Sequence, residues 1–177
     1  FYSVCVNSGY VSLAEEQLKG SKVKVCTVVG FPLGAMSTQA KLYETSVALS
    51  QGAQEIDMVL NVGLFLSGNV AKVLEEIALL KQETGDRVLK VIIETCYLND
   101  DQKRLASQVC VDAGADFVKT STGFGTGGAT LADVQLIREI VGNRAKIKAS
   151  GGIRDKQTAL QYIFLGVDRI GASAILV

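Results

Sequence analysis

Histidine is absent from the 177 residues. That removes Ser-His-Asp and Cys-His nucleophiles, and any zinc site that needs imidazole, from this stretch. Acid–base chemistry therefore falls to carboxylates, lysines, tyrosines or bound water. A net charge is missing too: Lys+Arg and Asp+Glu both number 18, which gives no electrostatic reason to expect nucleic acid or an anionic membrane as partner. No apolar run approaches the roughly 20 residues of a membrane helix, and the opening residues carry no signal-peptide pattern. Cysteine is sparse and scattered, at Cys5, Cys26, Cys96 and Cys110, with no paired metal spacing. All four sit in apolar strand-like or helical text and read as buried free thiols in a reducing cytoplasm. Proline occurs once, at Pro32, and no stretch has the composition of a linker.

What is present is globular. Hydrophobic residues make up 48% and charged residues 20%, enough apolar text for one domain with a real core. Seven short β-type runs recur: SVCV, KVKVCTVV, EIDMVL, RVLKVIIE, DFVKTS, KIKAS and DRIGAS. Amphipathic stretches lie between them; in NVAKVLEEIALLKQET, Val70, Val73, Leu74, Ile77 and Leu80 follow helical spacing. Strand and helix alternating in this way predict a parallel α/β sheet with right-handed crossovers. GAQEIDMV, GADFVKTS and GVDRIGAS echo one another, each starting with a glycine that ends the preceding helix in a left-handed turn. Both an open doubly wound sheet and a closed barrel fit seven units. Asp57, Glu94, Lys119 and Lys148 fall at or near strand C-termini, where barrels place their chemistry, and this favours the barrel. An eighth unit is then expected beyond this segment.

Gly123, Gly125 and Gly128 satisfy G-x-G-x-x-G after a strand and before a helix. A dinucleotide site also needs an acid at the end of the next strand, but KIKASGG offers lysine. The loop fits better a backbone that approaches a phosphorylated substrate, with plain turn formation as the alternative. Ser150-Gly151-Gly152 and Gly171-Ala172-Ser173 follow the last two strands, where barrels often build a phosphate cup from backbone N–H groups. Ordinary tight turns stay open as the other reading.

Lys119 and Lys148 occupy corresponding positions on consecutive strands, ~4.8 Å apart in a barrel. Like-charge repulsion of ~3 kcal/mol at ~5 Å and an effective dielectric of ~20 lowers a lysine pKa by ~2 units, to about 8. The free amine this releases is a carbonyl nucleophile that forms a Schiff base. Anion binding or snorkelling to solvent is the bland alternative. Asp57 interrupts an apolar strand, and a buried carboxylate needs partners or a task. It is placed to pair with Lys148 and position a water, or to serve as a structural ion pair alone. Two lysines, one aspartate, no histidine and a phosphate cup fit a metal-free aldolase. A phosphate-binding isomerase or synthase, or a non-catalytic sugar-phosphate binder, shares the cup but has no need of the lysine pair.

CTVVGFPLGA, EIDMV, KVIIETC, ADFVKTSTGF, KASGGIR and RIGAS, in that order, resemble the deoxyribose-phosphate aldolases along nearly the whole chain. The resemblance implies a single domain, residues 1–177, that is a (β/α)8 TIM barrel lacking the family's first strand and last helix. It implies a class I, metal-independent lyase without cofactor. Such an enzyme cleaves 2-deoxy-D-ribose 5-phosphate reversibly to D-glyceraldehyde 3-phosphate and acetaldehyde. Lys119 would be the Schiff-base lysine, Lys148 the second lysine and Asp57 the aspartate of the proton relay. Gly123, Gly151, Gly152, Gly171 and Ser173 would hold the substrate phosphate. The implied partner is a small phosphorylated sugar, with no nucleic acid and no membrane; the implied location is the cytoplasm, and a homodimer or homotetramer is left open. Ser8 stands where the family has proline, which should alter a loop and not the chemistry.

Overall fold

The computed structural model describes residues 1–173. Seven parallel strands form one sheet in chain order: β1 (Ser3–Val6), β2 (Lys24–Val29), β3 (Glu55–Val59), β4 (Val88–Ile92), β5 (Phe117–Lys119), β6 (Lys146–Ser150) and β7 (Arg169–Gly171). Helices α1 (Val11–Gln17), α2 (Thr38–Ser50), α3 (Val62–Leu66), α4 (Val70–Thr84), α5 (Asp100–Asp112), α6 (Leu131–Val141) and α7 (Lys156–Phe164) fill the connections. All seven expected strands form, most of them shorter than their apolar text. The glycines expected to end helices do so: Gly52, Gly114 and Gly166 have φ of +107°, +81° and +80°.

The strand order and the curl of the sheet rule out the open doubly wound alternative. β3 and β6 lie three strands apart, about 14 Å in a flat sheet, yet Lys148 on β6 bonds Asp57 on β3 at 2.7 Å. Arg169 on β7 reaches Ser3 on β1 at 3.2 Å. Only a sheet rolled about a common axis brings these side chains together, as in the (β/α)8 barrel class.

Period-two alternation sorts each strand between two environments. Ile56 and Met58 on β3, Leu89 and Val91 on β4, and Ile147 and Ala149 on β6 join the apolar layer under the helices. Glu55 and Asp57, Lys90, Lys119 and Lys148 are buried on the opposite face. The apolar layer is completed by helical stripes such as Val73, Ile77 and Leu80 of α4. Helix starts are set locally: Asn99 accepts from Gln102 N–H while the Gln102 side chain accepts from Asn99 N–H, a reciprocal cap for α5.

The thiols depart from expectation. Cys26 and Cys110 are buried, but Cys5 is exposed and Cys96 is half-buried in a short turn after β4. Glu94 stays at the C-terminal rim of the strands but outside the lining of the main cavity. It lies two residues beyond β4 in a left-handed conformation, φ +53°, and its carboxylate accepts the backbone N–H and the hydroxyl of Thr122. That ties the loop after β5 to the loop after β4.

Lys41 of α2 is wholly buried between layers, donating to Glu76 of α4 at 2.6 Å and to the Val59 carbonyl at 2.9 Å. Burial lowers its pKa and Glu76 works against that shift. Lys41→Met strands the Glu76 carboxylate and is expected to cost about 3–5 kcal/mol in urea unfolding. A Lys41→Met, Glu76→Leu pair should recover most of that loss; equal instability of the single and double variants would show that the ion pair is not the cause.

Candidate active site

Three buried lysines converge on one carboxylate. Asp57 Oδ2 accepts from Lys119 Nζ at 2.8 Å and from Lys148 Nζ at 2.7 Å. Its Oδ1 accepts from Lys90 Nζ at 2.8 Å and from the Cys26 thiol at 3.2 Å. Sheet register produces this convergence. Lys119 lies opposite Lys148, and Asp57 lies opposite Lys90, so each pair leaves the sheet on one face. One layer deeper, Lys90 also donates to Glu55 at 2.7 Å, and Arg169 reaches the same Glu55 oxygen at 3.1 Å. Phe117 fills the space among these charges, with Lys90 Nζ 5.8 Å from its ring centre and the Arg169 guanidinium 5.6 Å from it.

Charge and burial compete at each group. Burial pushes the Asp57 carboxyl up, but Lys119, Lys148 and Lys90 outweigh it and hold Asp57 well below the usual carboxylate range. Burial likewise raises Glu55, while Lys90 and Arg169 bring it below its ordinary value. Lys148 is pulled down by burial but raised overall, chiefly by Asp57. Lys90 is raised in the same way by Asp57, Cys26 and Glu55. The unbalanced repulsion expected between Lys119 and Lys148 is therefore offset. Their ammonium groups share a carboxylate oxygen, and Lys148 is stabilised as a cation. Four cations (Lys90, Lys119, Lys148, Arg169) face two carboxylates (Glu55, Asp57), an excess of positive charge suited to an anionic ligand.

The two lysines open into a cavity of about 510 Å³. Gly123, Gly151, Gly152, Gly171 and Ser173 border the same cavity, so all eight sequence-predicted site residues meet there or directly beneath it. Gly151 and Gly152 are left-handed in succession, φ +85° and +79°. A Cβ on Gly128 would lie 2.3 Å from the Gly151 carbonyl oxygen, so the loops after β5 and β6 cross backbone to backbone. This loop crossing, with residues 120–130 separating β5 from α6, is not the tight strand-to-helix turn of a dinucleotide site. Among the described residues none accepts a hydrogen bond from the N–H of Gly123, Gly151 or Gly152, which leaves those donors for an anion. Phe31 and Phe124 meet edge to face at 5.3 Å at the cavity mouth.

Lys90, Glu55, Arg169 and the Cys5–Cys26 pair were not anticipated from the chain. The signal for Lys90 was available: a lysine inside RVLKVIIE breaks an apolar strand as Asp57 breaks EIDMVL. Its partner could not be read, because register is a property of the assembled sheet. Arg154 also borders the cavity and adds a cation beside Gly152.

Comparison with known proteins identifies the relatives of this chain. A family model for the DeoC/LacD family aldolases matches residues 2–172. Deoxyribose-phosphate aldolase of Coprothermobacter proteolyticus is 56% identical over 174 residues, covering 98% of this chain and 80% of that protein. The Streptococcus uberis protein of the same name is 55% identical, with coverage of 98% and 79%. Among solved structures, an aldolase called QR15 superposes with a TM-score of 0.94 at 48% identity, covering 98% of this chain and 77% of its own. The tetrameric deoxyribose phosphate aldolase of Aeropyrum pernix does so with a TM-score of 0.87 at 33% identity, with coverage of 98% and 74%.

Cys5 supplies a direct test of the local electrostatics. Its interaction with the neighbouring Cys26 thiol lowers its pKa to about 7, aided by Lys119 and Lys148 and opposed by burial and Asp57. Iodoacetamide labelling of Cys5 should therefore rise with pH through about 7, since the thiolate is the reactive form. Cys26→Ala removes the main cause and should move that midpoint up; a midpoint at the ordinary thiol value of about 8.5 in both proteins would contradict the assignment.

Proposed function

The chain belongs to the DeoC/LacD aldolase family, and on that premise we propose that it cleaves 2-deoxy-D-ribose 5-phosphate reversibly to D-glyceraldehyde 3-phosphate and acetaldehyde. The observation that carries the mechanism is the sharing of one buried oxygen, Asp57 Oδ2, by two lysines that open into a glycine-lined cavity.

Lys119 is the nucleophile. Its neutral amine attacks C1 of the open-chain sugar, and loss of water leaves an iminium. Lys148 is held as a cation by Asp57 and stands one strand spacing from Lys119. The C3 hydroxyl gives its proton to Asp57, directly or through water, within reach of Lys148. The C2–C3 bond then breaks, and its electron pair moves into the iminium to form an enamine on Lys119. Glyceraldehyde 3-phosphate departs. Asp57 returns that proton to C2, directly or through water, and hydrolysis of the iminium so re-formed releases acetaldehyde and the free amine. Lys90 holds Asp57 from the opposite oxygen, which keeps Oδ2 facing the lysine pair.

The substrate phosphate lies against Gly123, Gly151, Gly152, Gly171 and Ser173, with the N–H groups and the cationic excess as its partners. A homodimer or homotetramer in the cytoplasm belongs to the same proposal. The tetrameric Aeropyrum pernix relative supports the assembly, and four free thiols support the location. Among the described residues no helix is long and apolar enough to cross a membrane.

Borohydride with the sugar phosphate or with acetaldehyde is expected to inactivate the protein by reducing the iminium. Peptide mapping should place the added mass on the DFVKTSTGF segment, and Lys119→Arg should abolish it. Labelling at Lys148 would exchange the two lysine roles, and no substrate-dependent label in folded protein would remove the mechanism.

Removal of the 5-phosphate should raise KM far more than it lowers kcat, because the cup holds a part of the substrate that does not react. Equal constants for deoxyribose and its phosphate would reduce the glycine loops to turns.

A further inference from the structure

We propose that Cys5, Cys26 and Asp57 form a binding site for a thiophilic divalent cation of the zinc class, and that its occupancy shuts the active site. Cys5 on β1 lies directly opposite Cys26 on β2, so both side chains leave the sheet on one face, one strand spacing apart. Cys26 then meets Asp57 on β3, Sγ to Oδ1, at 3.2 Å. The three donor atoms all lie within 4.8 Å of one another. Tetrahedral zinc bonds thiolate sulfur at about 2.3 Å and carboxylate oxygen at about 2.0–2.2 Å, which sets sulfur–sulfur separations at ~3.8 Å and sulfur–oxygen separations at ~3.5 Å. Movements of roughly an ångström or less bring the cluster to that geometry.

The surroundings tolerate the ion despite their positive charge. The two thiolates that bind offset the two positive charges of the ion. Lys90 gives up Asp57 Oδ1 and the Cys26 sulfur, to which it donates at 3.6 Å, but keeps Glu55 at 2.7 Å. Cys5 borders the cavity that also holds Lys119 and Lys148, which supplies an entry path and room for a fourth ligand such as water. Two thiolates and a carboxylate are a donor set that zinc and cadmium accept and magnesium does not. Occupancy ties Asp57 Oδ1 to the metal, which draws electron density from the carboxylate and weakens Oδ2 as the proton acceptor beside Lys119 and Lys148. Binding itself is independent of the aldolase reading; only the loss of turnover rests on it.

The test is titration of the whole chain with Zn²⁺ against a chromophoric chelator, and with Co²⁺ to read thiolate-to-metal charge-transfer absorption. One equivalent should bind, with the absorption band present. Cys5→Ser and Cys26→Ser should each weaken binding by more than the roughly 10–100-fold that loss of an outer-shell partner costs. Zinc should also protect Cys5 of the parent protein from iodoacetamide, a readout that needs no variant. Turnover should fall with occupancy, relative to each protein's own metal-free rate, and return with EDTA. Absence of the band at one equivalent, undiminished affinity in both serine variants, or free alkylation of Cys5 at saturating zinc would each overturn the site. A band with unaffected turnover would overturn the inhibition, whereas a band in a protein with no aldolase turnover would overturn the proposed function and leave the metal site standing.

Discussion

A single carboxylate organises the interior. Asp57 is fully buried and takes four hydrogen bonds, three of them from ammonium groups on three different strands. Several kcal/mol of desolvation per ion would forbid such a group if it stood alone. Here each charge is compensated by its neighbours, and no member can be removed without stranding another. β3, β4, β5 and β6 are thereby fixed relative to one another by chemistry as well as by backbone pairing. The curl of the sheet and the geometry of the two-lysine pair are the same fact seen from two sides.

Below that carboxylate, Glu55 repeats the pattern with Lys90 and Arg169. Lys90 spans both levels, bonding Glu55 and Asp57 with one nitrogen. Arg169 adds Ser3 of β1, and its guanidinium stacks on Tyr2 at 3.8 Å from the ring centre. The strands farthest apart in the sheet order are linked through this lower charge layer. The upper layer, with Lys119 and Lys148, is left facing the cavity. A fully paired base beneath a cation-rich mouth holds Asp57 in a fixed position under the cavity.

The same crowding explains the glycines. The loops after β5 and β6 pass so closely that Gly128 and Gly151 leave no space for side chains between them. Glu94 anchors the first of these loops through Thr122. Backbone N–H groups, unlike long side chains, then present donors at fixed positions beside Lys119 and Lys148, which suits the phosphate of the proposed substrate.

Much of this was legible in the chain. Alternating apolar runs and amphipathic stretches determined seven strands and the helices between them, because periodicity is local and each residue carries its own preference. Lys119, Lys148 and Asp57 stood out as charges inside apolar strands, and the glycines after the last strands border the cavity beside them. The absence of histidine limited the chemistry to amines and carboxylates. Partners were another matter. That Lys90 faces Asp57, that Cys5 lies beside Cys26, and that Arg169 reaches Glu55 follow from register and curl, which arise only when distant segments pair. The sign of the Lys148 shift was decided there as well. Two lysines on neighbouring strands repel, but a carboxylate from a strand on the far side of the interior lies between them, and no local pattern in the chain encodes that distance.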